Sequence, residues 1–294
     1  MLVNPNTSTA TTRMMTTAAR RALAGSGLRV RGVTVAHGPP MLTDPAALRA
    51  AAPHVVAAAR QALATGDCAA VVVAAFGDPG LPELRAWLTP GATDLTDAPD
   101  ATDASVPPAP GGAAPYGGFA PGAPPAPGAS LAPGVVPALG ELPAPGVVPA
   151  LGASPVRRVG ASVASSLPVV GIGEAALLEA ADGGRRFGIA TTTPRLGEEI
   201  AAHVERLGLA ARYTGARFTL GAPEQLAARP EAQLAALMAA ARACVRRDGA
   251  EAVVIGGGPL AQAAEALRSR LAVPVIAPVP AACRRVARLL GAAE

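Results

Sequence analysis

The 294-residue chain carries 25 basic residues, every one an arginine, against 21 acidic ones, a formal net charge of +4. Without lysine it has no Schiff base for pyridoxal phosphate and no Walker-type phosphate loop. The arginine pairs are scattered and only one Trp, two Tyr and four Phe could stack on bases, which argues against a nucleic-acid partner, and no run of about 18 apolar residues offers a membrane span.

Met1-Leu2-Val3 runs straight into Asn4-Pro5-Asn6-Thr7-Ser8 with no charged leader or apolar signal core, so a cytoplasmic protein is expected. Short apolar runs bounded by turn residues predict strands at 2–3, 28–36, 69–74 and 168–170. Four more follow at 187–190, 211–220, 252–255 and 274–276. Helical patterns separate them, including one at 233–247, and this alternation reads as parallel sheet. The two sets share a layout. In each, the third strand ends in a glycine-and-proline turn and the fourth is a Pro-Val run followed by an Ala-Ala helix start. The predicted fold class is therefore α/β: two pseudo-symmetric lobes, each a four-stranded parallel sheet flanked by helices, with a cleft between them. Lobe 1 takes 1–89 and 166–182, and lobe 2 takes 183–294, with the C-terminal helix free to pack on lobe 1.

Residues 90–165 differ in kind. They hold about half of the prolines, and the run APGVVPALG at 132–140 recurs unchanged at 144–152. Proline at that density blocks helices and strand ladders, so this Pro/Ala/Gly-rich insertion is expected to be flexible and disordered. As a helix-to-strand connection it should leave from the face opposite the strand carboxyl ends.

Those carboxyl ends are where ligands bind in open α/β sheets. Four of them lead directly into helix starts: 4–8, 76–80, 190–194 and 256–259. Unpaired N–H groups there suit a small anionic or imide-like ligand, and small residues let it approach the backbone. Thr7, Ser8, Thr191, Thr192 and Thr193 add hydroxyls, while Asp78 and Thr193 fit as caps of the helices that follow. The remaining acid–base candidates are Glu174, at a helix start, and His37, after the second strand. His54 and His203 read as surface or packing residues. Cys68 precedes the third strand and Cys244 and Cys283 sit on apolar helix faces; all three read as small core residues, and their spacing fits no zinc site.

The segments Asn4-Pro5-Asn6-Thr7-Ser8, Ala74-Ala75-Phe76-Gly77-Asp78-Pro79-Gly80-Leu81, Gly171-Ile172-Gly173-Glu174-Ala175-Ala176 and Ile255-Gly256-Gly257-Gly258-Pro259-Leu260-Ala261 together resemble the hydantoin racemase branch of the aspartate/glutamate racemase family. The resemblance covers nearly everything outside the insertion. It implies the two-lobed fold and cofactor-free racemisation or isomerisation at a carbon next to a carbonyl, on a hydantoin or amino-acid-like substrate. It implies no cofactor and no metal. Family members usually have more apolar residues before the Asn-Pro-Asn, which implies a start further upstream. In the family the two turns after the third strands usually carry a pair of cysteines; here those positions are Ala75 and Gly257. By the same resemblance the substrate site is expected at Asn4, Asn6, Thr7, Phe76, Gly77, Thr191, Thr192, Gly257 and Gly258, with Glu174 and His37 as the carboxylate and imidazole left for proton transfer. Two alternatives stay open: a non-catalytic, small-anion-binding relative, and an activity like that of arylmalonate decarboxylases or maleate isomerases. The expected partner is a small molecule, with association into a homo-oligomer compatible with the sequence.

Overall fold

The computed structural model describes residues 1–64, 67–89 and 167–292; the insertion read at 90–165 lies outside the described residues. One compact unit, Met1–Thr93 with Val163–Glu294, holds both sheets. The first contains β1 (Leu2–Asn4), β2 (Gly32–Thr34), β3 (Val71–Val73) and β4 (Val169–Gly171) in the order β2-β1-β3-β4. The second contains β5 (Phe187–Thr191), β6 (Tyr213–Phe218), β7 (Ala252–Gly256) and β8 (Val275–Ile276) in the order β6-β5-β7-β8. Every pairing is parallel. All eight strands stand where the sequence places them, and the two orders are the same.

Two of the four edge strands, β2 and β6, are much shorter than expected. The run at 28–36 pairs only over Gly32–Thr34, and that at 211–220 only over Tyr213–Phe218. Both lie at sheet edges and are only half-buried along their length. A strand with one neighbour has half the ladder to hold its ends. The central strands are buried throughout, as parallel sheets covered on both faces require.

Alternation along the strands sorts the core into layers. Val3, Val71 and Val73 face α2 (Pro45–Ala64) and α3 (Leu81–Leu88) in one cluster. Leu2 and Val72 turn the other way and join Ile189 and Val254 of the second sheet in a shared cluster. That middle layer contains α1 (Thr9–Ala22), α4 (Ile172–Ala180), α5 (Gly197–Arg206) and α9 (Pro278–Leu289), with α9 packed on α4 and α1. The outer face of the second sheet is covered by α7 (Pro230–Arg246) and α8 (Ala261–Arg268), after the short α6 (Pro223–Ala227). No described helix is long and apolar enough to cross a membrane.

Candidate functional site

Parallel strands in both sheets bring their carboxyl ends to one place, and a cavity of about 190 Å³ lies there. Lobe 1 contributes Asn6 after β1, Met41 and Leu42 after β2, and Ala74, Ala75 and Phe76 after β3. Lobe 2 contributes Thr192 and Thr193 after β5, and the turn from Gly256 to Leu260 after β7. Ala75 and Gly257 thus occupy counterpart turns on the two sides of one cavity. A larger groove of about 900 Å³ is lined by α1, α8 and α9 and shares only Met14 with it.

Of the residues expected at the site, Asn6, Phe76, Thr192, Gly257 and Gly258 line the cavity; Asn4, Thr7, Gly77, Thr191, Glu174 and His37 do not. Asn4 is fully buried beneath it. Its Nδ2 donates to Ser8 O at 3.1 Å and Thr12 Oγ1 at 3.0 Å, and its Oδ1 accepts from Asn6 N at 3.2 Å. Asn6 Oδ1 in turn accepts from Ser8 N at 3.0 Å, so the two amides hold the β1-to-α1 turn in shape. Ser8 caps α1, its Oγ accepting from Thr11 N at 3.2 Å. Thr7 is held through its backbone, donating to Pro39 O at 3.2 Å. Thr191 ties the ends of β5 and β7 together by donating to Gly256 O at 2.6 Å. Gly257 sits at φ 154°, in the region that favours glycine, and a Cβ there would come within 3.0 Å of Leu260 Cδ1.

Asp78 does not cap the helix that follows it, as the sequence reading has it. Gly80 occupies the N-cap of α3, and Asp78 is turned instead onto α4, from φ 50°, a left-handed conformation that Asp tolerates. Its Oδ1 accepts from Gly173 N at 2.9 Å and its Oδ2 from Glu174 N at 2.7 Å. This explains the two glycines of Gly171-Ile172-Gly173: a Cβ at Gly171 would overlap the Asp78 carboxylate, and one at Gly173 would crowd Asp78 and His203. Thr193, also expected as a cap, makes no side-chain cap bond and pairs with Thr191 Oγ1 at 3.1 Å.

His203 of α5 brings Nε2 to 3.6 Å from Asp78 Oδ2, a buried meeting of the two lobes. Burial pushes the Asp78 carboxyl up to about 7, further than the two N–H bonds pull it down, with nearby Glu174 adding to the rise and Arg85 opposing it. Burial first and Arg206 second push His203 down to about 4. The imidazole is therefore neutral at physiological pH.

Glu174 is taken up by cations. Arg85 Nη1 approaches its Oε2 at 2.9 Å, Arg85 Nη2 donates to Oε1 at 3.1 Å, and Arg285 Nη2 lies 3.4 Å from Oε1. The sequence gives no sign of this cluster, because its members come from α3, α4 and α9. Glu174→Gln is accordingly expected to lower stability by about 1 kcal/mol, modest because Arg85 is half in water. Urea unfolding measures this; an unchanged midpoint with lost ligand binding would place Glu174 at the cleft instead. His37 is exposed and stands 6.1 Å from the His54 ring, centroid to centroid.

The three cysteines also lie off the cavity. Cys244 and Cys283 are buried, and burial pushes their thiols up to about 11 and about 12. Cys68 donates to Ala70 O at 3.1 Å. None of the described residues lining the cavity is a cysteine, histidine or charged residue. What sequence reasoning missed is the apolar wall, Met14, Met41, Leu42, Leu48 and Leu196. These are ordinary apolar positions near helix starts and in loops, and nothing local marks them as facing a ligand. No described cluster of His, Cys, Asp and Glu could hold a metal ion.

Comparison with known proteins gives a consistent result. The family model described as Asp/Glu/Hydantoin racemase matches residues 1–94 and 148–286. A hydantoin racemase from Paenarthrobacter aurescens is 33% identical over 117 residues, 40% of this chain and 50% of the relative. One from Pseudomonas sp. (strain NS671) is 32% identical over 109 residues, 37% of this chain and 44% of the relative. The match thus spans half or less of the length of these curated relatives. Among solved structures, an allantoin racemase from Klebsiella pneumoniae superposes with a TM-score of 0.68 at 23% identity, covering 99% of this chain and 86% of that one, which speaks for the fold.

Proposed function

The chain belongs to the Asp/Glu/hydantoin racemase family, and from that premise we propose that its cleft binds a small hydantoin- or allantoin-like ring without the paired-thiol proton exchange. The observation that carries this reading is the lining itself. Racemisation at a carbon next to a carbonyl needs a proton-transferring group on each face of a planar intermediate. The counterpart turns after β3 and β7 offer Ala75 and Gly257, and the polar side chains among the rest of the described lining are hydroxyls and amides. Asn6, Thr11, Thr192, Thr193 and Gln233 can donate to and accept from the edge of a carbonyl–amide ring. They cannot relay a proton at neutral pH.

A second reading, cofactor-free racemisation or isomerisation by another group, draws support from Asp78. A carboxyl pushed up to about 7 is well matched to acid–base work, and it lies in the same turn as Ala75, though beneath the cavity wall. Proton NMR in deuterated water, with a thermal-shift assay alongside, separates the two. Enantiopure 5-substituted hydantoins, allantoin, aspartate, glutamate and phenylmalonate serve as probes. The expected result is a raised melting temperature with a ring compound and no loss of the Cα–H signal beyond the protein-free rate. Faster exchange, or decarboxylation of phenylmalonate, would sink the binding reading and bring the second one forward.

A further inference from the structure

We propose that the groove lined by α1, α8 and α9 binds an oligophosphate, a chain of two or more phosphate groups, between Arg13 and Arg21 of α1. The site is separate from the strand-end cavity and does not depend on what that cavity holds. Positive charge gathers at this groove. The three helices carry seven arginines and one glutamate, an excess larger than the +4 of the whole chain. Pairs that are scattered along the sequence come together here because α9, near the end of the chain, packs on α1. Four of the seven, Arg13, Arg21, Arg268 and Arg284, line the groove.

Two of these four are engaged. Arg268 pairs at 2.7 Å with Glu265, the one carboxylate among the described lining, and Arg284 forks onto Glu179 at 3.0 and 2.6 Å. Arg13 and Arg21 have no ion pair or side-chain hydrogen bond among the described residues. They stand two helical turns apart, about 12 Å along α1, with the Thr17 hydroxyl on the same line between them. Alanines of α1 and α8 make the floor, so a chain of phosphates can lie low between the helices. A guanidinium fork matches phosphate oxygens, and two forks set apart favour an anion charged at both ends over a single oxyanion. No aromatic side chain is among the described lining, so nothing there stacks on a nucleobase and the phosphate chain itself is what is read.

Isothermal titration of the full chain at low salt with tripolyphosphate, orthophosphate and citrate tests this, with melting temperatures measured alongside. Tripolyphosphate is expected to bind tighter than citrate and at least about tenfold tighter than orthophosphate. Arg13→Gln and Arg21→Gln should each weaken it about tenfold. Arg242→Gln removes an exposed arginine of α7 that does not line the groove, and should leave the affinity within about twofold. All three side chains are exposed, so the fold survives each change. Equal affinity for orthophosphate would mean one oxyanion on one arginine, and citrate binding as tightly would mean that charge rather than phosphate is recognised; either result overturns the inference. An equal loss in all three variants, the mark of a response to net charge alone, overturns it too. So does tripolyphosphate giving neither heat nor a change in melting temperature. The ring-binding reading of the cavity stands whichever way these results fall.

Discussion

Asp78→Ala and Gly171→Ala should each cost about 3 kcal/mol of stability, and the double variant little more than either alone. Asp78 satisfies two buried amide donors at the start of α4, on Gly173 and Glu174. Truncation leaves both without a partner, at about 1–3 kcal/mol each. A methyl on Gly171 would occupy the space of the carboxylate and drive it off the same two donors. Both changes therefore end at one state, an uncapped α4 in the layer between the sheets. Urea unfolding of the two single variants and the double gives the coupling directly. Additive costs, about 6 kcal/mol together, would mean that the two lesions are separate and that Asp78 does not depend on Gly171 for its seat.

A second expected result concerns pH. The Asp78–His203 pair should leave wild-type stability nearly flat from pH 4 to 6.5, whereas His203→Leu should make stability fall as pH rises from about 4 to about 7. Asp78 moves from 3.8 unfolded to about 7 folded, so in that window the folded chain holds the extra proton and stability declines with pH. His203 moves from 6.5 unfolded to about 4 folded, so there the unfolded chain holds the extra proton and stability climbs with pH. The slopes oppose each other. Between about 4 and 6.5 the pair carries one proton in either state, on the imidazole when unfolded and on the carboxyl when folded. Without His203 the decline stands alone, and a shift of this size corresponds to about 4 kcal/mol at most. Denaturant midpoints at several pH values, in wild type and variant, decide it. An equally flat variant would mean that Asp78 is ionised in the folded chain throughout.

Much of the architecture was legible because the signals are local. Val71-Val72-Val73 and Ala252 to Ile255 are short, β-branched apolar runs closed by glycine and proline, and their length and flanks decide for a central parallel strand over a buried helix. The edge strands β2 and β6 were overdrawn because apolar residues continue beyond the point where a single neighbour holds them. At the cleft, strand-end punctuation pointed to Phe76, Thr192, Gly257 and Gly258, which do line the cavity. The roles of Asp78 and Glu174 were not legible. Asp78 meets its partners 95 and 96 residues on, and Glu174 meets Arg85 across 89 residues. No spacing rule within a helix or turn reaches that far, and a carboxylate at a helix start looks alike whether it faces a ligand or an arginine. The Met and Leu wall was hidden for the opposite reason: its residues look like core, and become a ligand surface only when two lobes meet.

The position of α9 bears on how the protein comes to be folded during synthesis. Val279, Cys283 and Val286 of that helix complete a cluster begun by Leu2, Met15 and Ala19. A growing chain delivers the first three strands of lobe 1 early, then β4 only at Val169–Gly171 and the covering helix only at Pro278–Leu289. Until then the inner face of the first sheet is covered only by α1 and α4, through the whole time the ribosome needs for lobe 2, and such part-covered sheet is what chaperones hold and aggregates recruit. Lobe 2 gains its last strand at Val275–Ile276, immediately before that helix. The half of the molecule made first is the half finished last.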